Sequence, residues 1–131
     1  MFVDASVMAA MMTDENDARN FARRLQASTV RMTSPMAVAK ATVAVGSILN
    51  LPNAAVETAI KTFLQIVNIQ LLAVPPRAAF LAAEAHDRFG KGRHSASLEL
   101  DDCMTYACAR YYRQPLLFKD GRFGETDIEI A

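Results

Sequence analysis

Short apolar runs set between long helical stretches constrain the fold of this chain more than any other feature. "MFVD", "TVRM", "IQLLAV" and "LLFKD" each read as a strand, the third stopped by Pro75-Pro76, and a closing "DIEI" alternates like an edge strand. Between them the apolar residues fall at helical spacing. Strands that alternate with helices in this way build a mainly parallel sheet with helices on both faces. The expected class is α/β, three layers around four to five strands, as one domain over residues 1–131.

The helices have recognisable ends. "ASVMAAMM" is a short helix after the first strand, and "TDENDARNFARRLQAS" a second, with a start at Thr13 or Asp14 and Glu15 and Asp17 in its acidic first turn. Ser34-Pro35 opens a helix that runs to about Leu49, since proline at the first helical position gives up no needed hydrogen bond. Pro52-Asn53 opens "NAAVETAIKTFLQIV", in which Val56, Ile60, Phe63 and Leu64 share a face. "RAAFLAAEAHDRFG" is expected to close on Gly90 as a left-handed cap. A last helix is expected from about Ala96 to Arg113, where Pro115 ends it.

Composition excludes several classes. Fourteen basic and fourteen acidic residues cancel, so bulk charge does not drive nucleic-acid binding and a local basic patch would be needed. Cys103 and Cys108 lie five apart in a helical segment, poorly placed for a bridge. Packed, reduced thiols are expected, which suits a cytoplasmic protein. No signal peptide or membrane span is expected: the apolar stretch from Met36 to Leu51 is interrupted by Lys40 and Gly46-Ser47.

In open parallel sheets, ligands bind beyond the carboxyl ends of the strands. Asp4 closes the first strand there, and Asp120 follows "LLFK". Asp101 and Asp102 stand in the first turn of the last long helix, where the helix dipole favours an acid. At 100° per residue Asp101 borders the apolar stripe and Asp102 lies across from it, so helical phase leaves the choice between them open. Taken singly, these acids suit caps and turns. Converging at one sheet edge without cation partners, they would suit a hard divalent ion such as Mg²⁺ or Mn²⁺.

The opening "MFVDAS", the helix "DDCMTYACA", the passage "FGKGRHSASLELDDC" and the ending "QPLLFKDGRFGETDI" resemble, in order and over nearly the whole chain, PIN-domain ribonuclease toxins of the VapC type. The resemblance implies a PIN-like fold, metal-dependent endoribonuclease activity, an RNA substrate, neutralisation by a VapB-type antitoxin and a homodimeric toxin. By position it makes Asp4, Asp102 and Asp120 the metal-binding acids, with Ser6 a supporting hydroxyl, and it favours Asp102 over Asp101. In such sites Mg²⁺ or Mn²⁺ activates a water for in-line attack on an RNA phosphate and neutralises the charge that develops. Asp127 is a substitute candidate for Asp120, and Arg122 stands where relatives often have an acid.

The departure from the pattern that matters most is at Lys40. The resemblance places a glutamate where "MAVAKATVAV" has Lys40, the single charged residue between Arg31 and Glu57. A lysine there either lies on a solvent-facing strip, snorkelling from an apolar face, or points into the acids and pairs with Asp4 or Asp102. In the second case it supplies charge that a metal would bring, and weak metal binding with low or absent nuclease activity is expected. A catalytically dead PIN domain kept as a protein-interaction module is then the alternative function. A receiver-like signalling domain also combines clustered aspartates with a lysine, but that lysine follows a late strand whereas Lys40 lies in a helix.

Lys91, Arg93, His94, Arg110, Arg113, Lys119 and Arg122 are candidates for a phosphate-binding rim around the acids. His86 and His94 fall in no metal-ligand spacing. Met8, Met11, Met12 and Phe21 serve either the core or an adaptable groove for an antitoxin helix, core packing being the simpler role.

Overall fold

The computed structural model describes residues 1–119 and 121–131, and among them four strands form a single parallel sheet. The strands are β1 (Phe2–Val3), β2 (Met32–Thr33), β3 (Gln70–Leu71) and β4 (Leu116–Leu117), in the spatial order β3-β2-β1-β4. Phe2 stands opposite Met32 on one side and Leu116 on the other, while Met32 and Thr33 face Gln70 and Leu71. Six helices among the described residues cover the sheet: α1 (Ala5–Met12), α2 (Ala18–Gln26), α3 (Pro35–Leu49), α4 (Asn53–Val67), α5 (Ala78–Phe89) and α6 (Leu100–Tyr111).

Two residues per strand suffice because successive side chains point to opposite faces. Phe2 and Leu116 enter the cluster formed with α5 and α6, alongside Ala82, Phe89, Leu98 and Tyr106. Val3 and Leu117 enter the opposite cluster, with Val7, Met8, Phe21, Leu25, Ile60 and Leu64 from the first four helices. All four of these strand residues are fully buried. The two strands thus read as unbroken apolar pairs, as a sheet covered on both faces requires.

The termini of α3 follow from its sequence. Ser34 Oγ accepts the Ala37 N–H at 3.2 Å, Pro35 fills the first turn, and Asn50 stops the helix in the left-handed region (φ 53°). Asn68 closes α4 in the same way (φ 57°).

Elsewhere the expected boundaries move. Thr13 does not start a helix; its Oγ donates to Ala9 O at 2.7 Å and it caps the end of α1. Asp14 is left-handed (φ 54°), and α2 begins only after Asp17. Strand two, Met32–Thr33, shares only Met32 with "TVRM" and ends one residue past it. Only Gln70–Leu71 of "IQLLAV" pairs, at the exposed sheet edge. Helix α6 is shorter than expected, with Glu99 at its cap. "DIEI" is not a strand: Phe123–Glu125 forms a 3-10 turn and Ile130 makes one isolated parallel bridge to Leu116.

Gly90 is not a left-handed cap either; its backbone is extended (φ −70°, ψ 161°). Glycine is needed there because an added Cβ would lie 2.3 Å from His86 O. Cys103 and Cys108 are buried free thiols. Among the described residues no single helix is long and apolar enough to cross a membrane.

Leu117 joins the sheet to the α1–α4 layer, so Leu117→Ala should cost about 2–5 kcal/mol in urea unfolding. Phe80→Ala, on a residue 79% exposed, should stay within about 0.5 kcal/mol of the parent. Similar losses for the two variants would mean that the core is elsewhere.

Candidate active site

The strand order reverses at β1: β2 and β3 lie on one side of it and β4 on the other. At such a switch point the loops leaving neighbouring strands diverge and open a crevice at the carboxyl edge. Asp4 leaves β1 into it. Its backbone is extended, its side chain caps α1 by accepting the Ser6 N–H at 3.0 Å, and the Ser6 hydroxyl donates to the same oxygen at 2.5 Å. Ser6 Oγ also accepts the Lys119 N–H at 3.0 Å, tying the start of α1 to the chain beyond β4. Burial pushes the Asp4 carboxyl above its ordinary value, against the Ser6 hydrogen bonds and the charge of Lys40.

Asp102 reaches the same crevice from α6. It is 8% exposed, although helical phase set it across from the apolar stripe. The reason is local: its Oδ2 turns back to accept the Glu99 N–H at 3.0 Å, as in one half of a capping box, which draws the side chain inward. The Glu99-x-x-Asp102 spacing is the sequence signal that would have placed it.

Lys40 lies in α3 and points into the acids. Its Nζ is 2.7 Å from Asp101 Oδ2 and 3.3 Å from Asp102 Oδ1. Arg122 Nη1 is 3.4 Å from Asp102 Oδ2. Burial pushes the Lys40 ammonium down, but Asp101, Asp102 and Asp4 outweigh it and hold its pKa above the ordinary lysine value. Burial likewise pushes Asp101 up, and Lys40 reverses this, keeping the carboxyl below its usual range. Asp4, Ser6, Lys40, Asp101, Asp102 and Arg122 therefore line one cavity of about 280 Å³.

Of the residues picked from sequence, Asp4, Ser6, Lys40 and Asp102 meet in this cavity; Asp120 lies outside the described residues. Asp101 and Arg122 belong to the cluster more directly than sequence suggested. Of the two readings of Lys40, the structure has the one in which it points into the acids, paired with Asp102 and also with Asp101. Asp127 is not at the site: its carboxylate accepts the Tyr106 hydroxyl at 2.5 Å and Arg88 Nη2 at 2.9 Å. Burial first, and then this bond, push the Tyr106 phenol up to about 12.

The basic residues do not form one rim. Lys91 pairs with Glu99, Arg93 with Asp87, and Lys119 with Glu15 and Asp17. Arg110 and Arg113 line a separate cavity near the far end of α6. His94 Nδ1 accepts the Ala96 N–H at 3.0 Å, a structural role. Met8 and Phe21 are core residues, with Met11 and Met12 packed against them.

A divalent ion fits this arrangement poorly. Both oxygens of Asp102 already face protein cations. An ammonium and a guanidinium at those distances repel a dication from the carboxylate that would hold it.

The PIN-domain family profile matches residues 1–129, and the chain belongs to that family. Its relatives include Ribonuclease VapC30 of Mycobacterium tuberculosis, 33% identical over 98% of this chain and 95% of the relative. Ribonuclease VapC of Mycolicibacterium smegmatis is 34% identical over 98% of this chain and 97% of its own length. Both place the chain within the VapC type. In fold it is similar to M. tuberculosis VapC20, a Sarcin-Ricin loop cleaving toxin, with a TM-score of 0.74 at 22% identity over 99% of this chain and 97% of that one.

The Tyr106–Asp127 bond reaches a carboxylate that is 40% exposed, so its worth is discounted for solvent screening. Tyr106→Phe should cost roughly 1 kcal/mol at pH 7. A phenol raised in the folded state contributes fully below the unfolded value of about 10 and loses that contribution as pH rises through the folded one. The difference between parent and variant in urea unfolding should therefore shrink between pH 10 and 12. A gap that widens there would contradict the assignment.

Proposed function

We propose that this chain is a VapC-type endoribonuclease toxin, one PIN domain over residues 1–131, in which Lys40 holds metal binding and RNA cleavage low. The observation that carries the reading is the full-length relationship to VapC ribonucleases together with Asp4 and Asp102 lining one crevice at the carboxyl edge of the sheet. The family implies Mg²⁺ or Mn²⁺ held by Asp4, Asp102 and Asp120, with Ser6 orienting Asp4. The ammonium of Lys40 opposes that ion, since two unit charges at about 4 Å contribute roughly 4 kcal/mol at an effective dielectric near 20. No metal-assisted step follows for the chain as it stands.

The same relationship supports an RNA substrate, a VapB-type antitoxin as the neutralising partner, a homodimeric toxin and a cytoplasmic setting. Apolar side chains left open towards the end of α3, namely Val43, Ile48, Leu49 and Leu51, offer surface for protein contacts. The second reading is a PIN domain retained as a catalytically dead interaction module. The Lys40 ion pairs with Asp101 and Asp102 favour it.

The test is cleavage of a structured RNA in Mn²⁺ by the parent and by Lys40→Glu. Cleavage by the variant should exceed the parent's by roughly tenfold or more, given an electrostatic change of this size. Equal cleavage would refute the role given to Lys40. No cleavage by either protein would favour the interaction module.

A further inference from the structure

Arg122 reaches Asp102 from a different part of the chain than Lys40 does, and it meets the opposite oxygen. Lys40 Nζ faces Oδ1 at 3.3 Å and Arg122 Nη1 faces Oδ2 at 3.4 Å. The Glu99 N–H completes the set on Oδ2 at 3.0 Å. The carboxylate is thus enclosed by three donors, two of them cationic, although its side chain is only 12% exposed.

The segment bearing Arg122 is held at two points. Phe123 is buried in the α5–α6 cluster, with its ring 5.4 Å from that of Phe118. Further along, Asp127 is fixed by Tyr106 and Arg88. The backbone beyond the guanidinium's attachment is therefore set by packing, whatever charge the cavity carries. Arg122 itself is 55% exposed at its side chain, so it can be replaced without disturbing the packing of Phe123.

We propose that Lys40 and Arg122 act jointly as an in-chain counter-ion for Asp102, each on one of its two oxygens. The inference rests on reading this crevice as the acidic site of the PIN fold. It goes beyond the role given to Lys40 alone: with Lys40 reversed, Arg122 still covers the other oxygen, and with Arg122 reversed, Lys40 remains bridged to Asp101 and Asp102. Loss of either cation therefore relieves only part of the opposition to a metal. Opening the carboxylate fully requires the loss of both.

The experiment is calorimetric titration of Mn²⁺ into the full chain and into Lys40→Glu, Arg122→Glu and the double variant, with thermal melting of each in Mn²⁺ and in chelator. The double variant should bind Mn²⁺ roughly tenfold or more tightly than either single variant, exceeding the product of their separate gains, as coupled neighbours do. It should also show the largest rise in melting temperature on adding Mn²⁺. Lys40→Met/Arg122→Gln, compared with its own single variants, carries the same test if the added carboxylates prevent folding. The proposal is overturned if either single variant matches the double, if the gains merely multiply, if the parent already binds as tightly, or if none of the proteins binds Mn²⁺. RNA cleavage is not measured here, so failure of the ribonuclease reading would appear in the cleavage assay and leave this result unchanged.

Discussion

A carboxylate taken largely out of water must find its hydrogen bonds and its counter-charge within reach, and Asp102 is the carboxylate on which this cavity turns. Its side chain retains 12% exposure and accepts the Glu99 N–H. The rest of the compensation comes from Lys40 and Arg122, which approach from α3 and from the segment after β4. Three stretches distant in sequence are thereby drawn to one functional group. Removing the cations without replacement would leave a buried acid underneutralised, which is costlier than the surface position of either partner suggests.

The topology decides that these stretches meet at all. With β1 central and β4 on the side opposite β2, the chain leaving β1 and the chain leaving β4 flank one crevice. Ser6 spans it, donating to Asp4 and accepting from the Lys119 N–H. Strands β1 and β4 can be short because each contributes one side chain to the α5–α6 cluster and one to the α1–α4 cluster. Most of the apolar burial lies in the helices, and the sheet supplies the alignment.

Much of this was legible in the residues. Asp4 after "MFV" was placed by the rule that strand ends carry ligands, and Ser34-Pro35 marked its helix start through a cap that the structure contains. What was missed depended on contacts that period alone does not carry. Asp102 turned inward because of a backbone N–H three residues earlier, not because of helical phase. Gly90 served a close approach to His86 O rather than a left-handed turn. Asp127 read as a spare acid for the site, whereas Tyr106 and Arg88, from α6 and α5, hold it elsewhere. Arg110 and Arg113 follow Asp102 along α6 and just past its end, and the length of that helix separates them from the acid.

The same electrostatics gives the cluster two opposed consequences. Carboxylates gathered in one cavity repel one another, and burial adds to that cost at Asp4, whose carboxyl it raises. Cations supplied by the chain relieve the repulsion permanently, because they come with the fold and cannot dissociate. Lys40 shows this in both directions: its own pKa rises because the acids hold its proton, and Asp101 falls because the ammonium holds its charge. A cavity neutralised in this way is more secure as a piece of folded structure and less open as a place to bind a dication. Stability and metal affinity here are alternative uses of one set of charges, so each gain in the first comes at the expense of the second.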